Sequence, residues 1–139
     1  MGGVWFLNGE ALLWRSPFPE QVQSRLVSQK NPTGKVTNSD LELLGTMAHH
    51  HVLEESGYPM AGESTHTFSD NTPAVAWQNK GSATTTNVTA DPLHHSALHQ
   101  RATGHVPAYE RLRGVRNVMA DDASQLWNHN DANILLYFN

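Results

Sequence analysis

The chain has 139 residues, a net charge of −4 with its nine histidines neutral, and no cysteine. That length suits one domain, and the missing thiols exclude disulfide frameworks, cysteine–metal sites and cysteine nucleophiles. Hydrophobic residues make up 38% of the chain, enough for a core without metal or disulfide support, and the acidic balance argues against a broad phosphate-binding surface.

The N-terminus, MGGVWFLNGEALLWR, has no basic segment leading into an apolar one, so no signal peptide is expected. It reads instead as a chain that starts partway into a sheet. Residues 3–7 (GVWFL) and 11–14 (ALLW) are strand candidates. Asn8-Gly9 between them is the strongest hairpin signal present, since both residues tolerate positive φ. Ser16-Pro17-Phe18-Pro19 ends the second strand, residues 21–28 form a short amphipathic stretch, and Asn31-Pro32-Thr33-Gly34 is a turn.

A long helix follows. Thr37, Asn38 and Ser39 are candidate N-caps, and Asp40 and Glu42 lie in the first turn, where the helix dipole favours acids. Leu41, Leu44, Ala48 and Val52 recur at helical spacing, and Gly57 closes the segment. Residues 66–69 read as a strand, and Pro73 opens a helix that runs to Gln78. Residues 80–89 are a Gly/Ser/Thr/Asn loop. Residues 92–102 are helical, 106–112 a strand with polar alternation, 119–127 a helix and 132–138 a short final helix. Interleaved strands and helices of this kind predict a mixed α/β fold in a single domain over residues 1–139, with residues 128–139 as a tail.

Three acids sit where such a fold concentrates chemistry: Glu42 on the long helix, Asp70 at the carboxyl end of the 66–69 strand, and Asp121 where a loop enters a helix. Gathered carboxylates repel one another, and a hard divalent cation such as Mg²⁺ or Mn²⁺ relieves that repulsion. Each acid also has a plainer reading. Glu42 suits a helix dipole, Asp70-Asn71 suits an N-cap, and Asp121 or Asp122 suits a capping acid. Asp121 is preferred over Asp122 because it follows Asn117-x-x-Ala120.

Four segments, GGVWF, SDLELLG, HTFSDNTPAVAW and NVMADDASQLW, carry a resemblance to the ribonuclease H domain of retroelement reverse transcriptases. The chain is similar to that family from about Gly2 to Trp127. The resemblance implies a mixed five-stranded ribonuclease H-like sheet flanked by helices. It implies a two-metal site with Glu42, Asp70 and Asp121 as Mg²⁺ or Mn²⁺ ligands. It also implies hydrolysis of RNA in an RNA–DNA hybrid, with the rest of a reverse transcriptase polyprotein as a further partner. The family's first strand, with its aspartate, has no counterpart here, since no acid precedes Glu10. A gap in the sheet and loss of activity are therefore expected. A non-catalytic nucleic-acid-binding or structural remnant is the alternative, and an unrelated α/β binding module using its histidines is a third reading. An intracellular location, in cytoplasm or nucleus and without membrane contact, follows from the same resemblance.

The histidines offer two patterns. His49-His50-His51 point in different directions from a helix, so a tight metal site is not expected, and His95 and His99 share a helix face. Surface or core-edge roles are favoured for these. Trp5, Trp14, Trp77 and Trp127 are expected in or beside the core, and Asn87-Val88-Thr89 is a chance glycosylation sequon.

Overall fold

Asn8 and Gly9 adopt φ 53° and 86°, the left-handed values of a two-residue hairpin turn. They join β1 (Gly2–Leu7) to β2 (Glu10–Arg15) in an antiparallel pair with Gly2 opposite Arg15 and Leu7 opposite Glu10. The computed structural model describes residues 1–58, 60–82 and 88–138. Among these, the chain continues through α1 (Glu20–Gln23), α2 (Asn38–Glu55), β3 (Ser64–Ser69), α3 (Thr72–Lys80), α4 (Ala90–Thr103), β4 (Val106–Arg111), a 3-10 turn (Gly114–Arg116), α5 (Val118–Gln125) and α6 (Asp131–Phe138). The mixed α/β class holds. No helix among the described residues is long and apolar enough to cross a membrane. Asn87 of the sequon lies outside the described residues.

In place of one five-stranded sheet there are two separate pairs, with the expected gap between the hairpin and the β3 strand. β1 and β2 form one, and β3 and β4 form the other, parallel, with Ser64 opposite Val106 and Ser69 opposite Arg111. The parallel pair is joined through α3 and α4, the helical crossover that parallel strands require. β1 and β3 do not pair, so the sheet is interrupted between them.

Each pair has its own core. Leu43 of α2 packs with Ala74 and Trp77 of α3 and Leu93 of α4, with Met47 against them. Ala11 of β2 packs with Ile134 and Phe138 of α6, joined by Val4, Met119 and Leu126. The tail helix is thus half of the second core. Arg15 holds it in place: its guanidinium donates to the Leu126 and His129 carbonyls, meets Asp131 at 2.7 Å and lies 5.4 Å from the centre of the Trp127 ring.

Helix α2 packs against both sheets. Thr37 caps it through a reciprocal box: the Thr37 hydroxyl accepts from the Asp40 backbone N–H, and the Asp40 carboxylate accepts from the Thr37 backbone N–H at 2.7 Å. Asp40 is fully buried in this role. Glu42, Gly45, Thr46, His49 and Leu53 then fall at helical spacing on one face and line the space between the sheets. Leu43 and Met47 fall on another face and enter the first core.

Two adjacent glycines let the hairpin fit between helices. Successive strand residues face opposite sides. A Cβ at Gly2 would lie 2.9 Å from the backbone of Ala123 in α5, and one at Gly3 would lie 2.5 Å from Nδ1 of His49 in α2. The GGVWF segment is therefore a strand pressed by a helix on each face.

Candidate functional site

A trough of about 1100 Å³ occupies the interruption between the sheets. β1 and β3 form its walls, one face of α2 lines it, and residues of the 3-10 turn and α5 close one end. The acids predicted from sequence gather at that end. Glu42 and Asp121 line the trough, and Asp70 follows directly on Ser69, which also lines it.

Each carboxylate is released from the plainer role open to it. At the start of α3 the cap is Asn71, whose Oδ1 accepts from the Ala74 backbone N–H at 2.9 Å. Asp70 is left to turn toward the 3-10 turn, where a Cβ at Gly114 would sit 3.2 Å from its Oδ2. In α2 the capping acid is Asp40, which leaves Glu42 to face the trough. In α5 no side chain caps the helix start, so Asp121 and Asp122 are not caps. Asn71→Ala is expected to lower stability by about 1 kcal/mol, the usual cost of a lost cap. Urea unfolding measures this, and an unchanged midpoint would remove Asn71 from the role.

The electrostatics tie the three acids together. The Glu42 carboxyl is pushed above the usual range, first by burial and then by the Asp70 and Asp121 charges, with the Met1 ammonium opposing. The Asp121 carboxyl is raised too, first by burial and then by Asp70 and Asp122. Glu42 therefore feels both aspartates, and Asp121 feels Asp70, at one end of the trough. Their chemistry suits a hard cation that would neutralise them. Among the described residues, however, no group of three or more His, Asp or Glu side chains is arranged to hold a single metal ion. The donor set, three carboxylates, is of the kind a hard divalent cation takes. Arg116 also lines the trough, and Arg111 and Arg113 are exposed.

The histidines form a site that sequence reading did not find. His49 and His50 are neighbours on α2, so their rings leave the helix about 100° apart. His49 turns to the hairpin, where its Nδ1 accepts from Trp14 Nε1–H at 2.8 Å and its ring meets the Trp5 edge at 5.9 Å. His50 turns to the parallel pair. Its Nε2 bonds Thr67 Oγ1 at 2.9 Å, and its ring lies 5.4 Å from His105 and 5.7 Å from Tyr109. His105, only 5% exposed, bonds Thr65 Oγ1 at 2.8 Å.

A polar aromatic column thus runs through α2 from one sheet to the other. Burial lowers His49 to about 4. Burial, then His49 and His105, lower His50 to about 3. His51 points to solvent, His95 is exposed, and His99 meets Glu54 at 3.0 Å, so the paired-ligand reading of His95 and His99 has no support. The available signal was the His-His-His run itself, since adjacent helical positions must serve different neighbours. Trp77 is buried and Trp5 and Trp14 are half-buried, as expected, while Trp127 is 48% exposed beneath Arg15.

No protein-family model matches this chain, and no characterised protein or solved structure is significantly similar to it.

Proposed function

We propose that this chain is a ribonuclease H-like domain of the retroelement reverse transcriptase type, whose ancestral reaction is metal-dependent hydrolysis of RNA in an RNA–DNA hybrid. The observation that supports this reading is that Glu42 and Asp121 line one trough, with the Asp70 and Asp121 charges acting on Glu42 and the Asp70 charge on Asp121. Those are the three acids carried by the family-like motifs. Glu42, Asp70 and Asp121 would hold Mg²⁺ or Mn²⁺, which supplies charge stabilisation for a phosphodiester undergoing displacement. Arg116, which lines the same trough, offers a phosphate contact, which positions a nucleic acid without reading its sequence.

The alternative is a non-catalytic nucleic-acid-binding or structural remnant. Cleavage by this chain alone is expected to be negligible, because three carboxylates are few for holding the two ions that clamp an in-line displacement. Mn²⁺ binding, followed by calorimetry, is expected to be detectable but weak. Glu42→Gln should weaken it by at least about tenfold, the loss that even an outer-shell partner of a metal can cost. Because Glu42 and Asp121 are raised, protons compete with the metal, and binding should fade as pH drops through their titration.

Incubation with a labelled RNA–DNA hybrid and Mg²⁺ provides the functional test. An added N-terminal strand bearing an aspartate should produce cleavage, and Asp70→Asn in that longer chain should abolish it. Robust cleavage by the 139-residue chain would show that another acid completes the set, with Glu10 or Asp122 the first to substitute. Absence of any metal effect in both chains would overturn the nuclease reading.

A further inference from the structure

The two walls of the trough are strand edges, and the phase of each can be read from its hydrogen bonds. Met1 and Ser16 exchange both backbone bonds, each 3.0 Å. In an antiparallel pair, bonded and non-bonded positions alternate. Gly3, Trp5 and Leu7 therefore bond to β2, while Gly2, Val4 and Phe6 direct their N–H and C=O groups away from it. In the parallel pair, the Glu63 and Ser69 carbonyls accept from the Val106 and Leu112 N–H groups, each at 2.9 Å. By the same alternation, Ser64, His66 and Phe68 direct their backbone groups away from β4. Both outward rows belong to residues that line the one trough.

We propose that the trough is an acceptor site for an added strand, an extended and uncharged polypeptide segment of a partner, small or apolar at alternate residues. It bonds β1 along one side and β3 along the other. β1 and β3 are each six residues long, so a segment of about six residues would match them. A helix cannot do this, because its own backbone groups are already paired. Only an extended chain presents donors and acceptors on both sides at once, the mode of recognition by strand addition. The apolar character follows from Trp5, Phe6, Leu41 and Leu53 along the trough, with charge concentrated at the Glu42, Asp121 and Arg116 end. This inference needs neither metal nor carboxylates, so it stands or falls separately from the nuclease reading.

The probe is an eight-residue synthetic peptide of three Val-Thr repeats between terminal lysines, titrated into the full chain without metal and followed by tryptophan fluorescence and amide hydrogen exchange. Saturable binding is expected, with new protection at Val4, Phe6, His66 and Phe68 and none at Gly3, Trp5 and Leu7, which are bonded already. Phe6→Pro removes one outward N–H and spares the hairpin ladder. Phe6 is 56% exposed, so little packing is lost. The substitution should weaken binding about tenfold, as loss of one buried hydrogen bond does. The exchange pattern in the unsubstituted chain decides the matter even if that variant folds poorly. No binding, or binding without the alternating protection, would overturn the proposal. So would sedimentation showing that the free chain already pairs with a second copy through these same amides.

Discussion

Acidification from pH 7 to about 4.5 is expected to remove a large part of the stability of this protein. In the unfolded chain His49 and His50 take up protons near 6.5; in the folded chain they do so near 4 and 3. Above 6.5 both states hold neutral rings and no penalty arises. Below it the unfolded state binds protons that the folded state refuses, so stability falls until the folded values are reached. Each group contributes a slope of about 1.4 kcal/mol per pH unit, so the two together would remove on the order of 5 kcal/mol by pH 4.5. That is comparable with the whole stability of an ordinary domain, about 5–15 kcal/mol.

The geometry gives the same direction. His49 accepts a hydrogen bond from the Trp14 indole, and a protonated ring would set donor against donor. Glu42 and Asp121 act oppositely, since their raised carboxyls take up protons earlier in the folded state. Urea unfolding at pH 7.5, 6.0, 5.0 and 4.5 measures the slope. His50→Phe keeps a ring in place and removes one titrating group, so it should roughly halve the pH dependence. A midpoint that stays flat between pH 7 and 5 would contradict the buried, neutral assignment.

Gly3→Val should destabilise the chain by about 2–4 kcal/mol, while Gly45→Ala nearby should stabilise it. The new Cβ at Gly3 would meet His49 Nδ1 at 2.5 Å and Trp14 Nε1 at 2.6 Å, the two atoms that share a hydrogen bond. Overpacking costs roughly 1–3 kcal/mol, and a broken hydrogen bond adds about 1 kcal/mol. At Gly45 an added Cβ meets only the Met1 side chain, at an ordinary 3.8 Å. Alanine there brings its better helix propensity, about 1 kcal/mol. Thermal unfolding of the two variants should move in opposite directions. A Gly3→Val variant that melts with the parent would mean that α2 does not press on the hairpin as described.

Local structure was legible in the sequence wherever a short segment decides its own conformation. Asn8-Gly9 specified the hairpin because both residues accept positive φ, and Thr37 and Pro73 marked the starts of α2 and α3 through capping and fixed φ. The acids Glu42, Asp70 and Asp121 could be singled out because each sits in a segment that resembles a ribonuclease H motif. Three matters waited for the tertiary structure. Which acid caps and which faces the trough depends on packing: Asp40 and Asn71 took the capping roles, and no local rule separates Asp40 from Glu42 within one helical turn. The division into two sheets depends on pairing between strands far apart in the chain, which their own composition does not encode. The column of His49, His50 and His105 depends on two sheets meeting opposite sides of α2, which makes these three residues a buried link between the halves of the molecule.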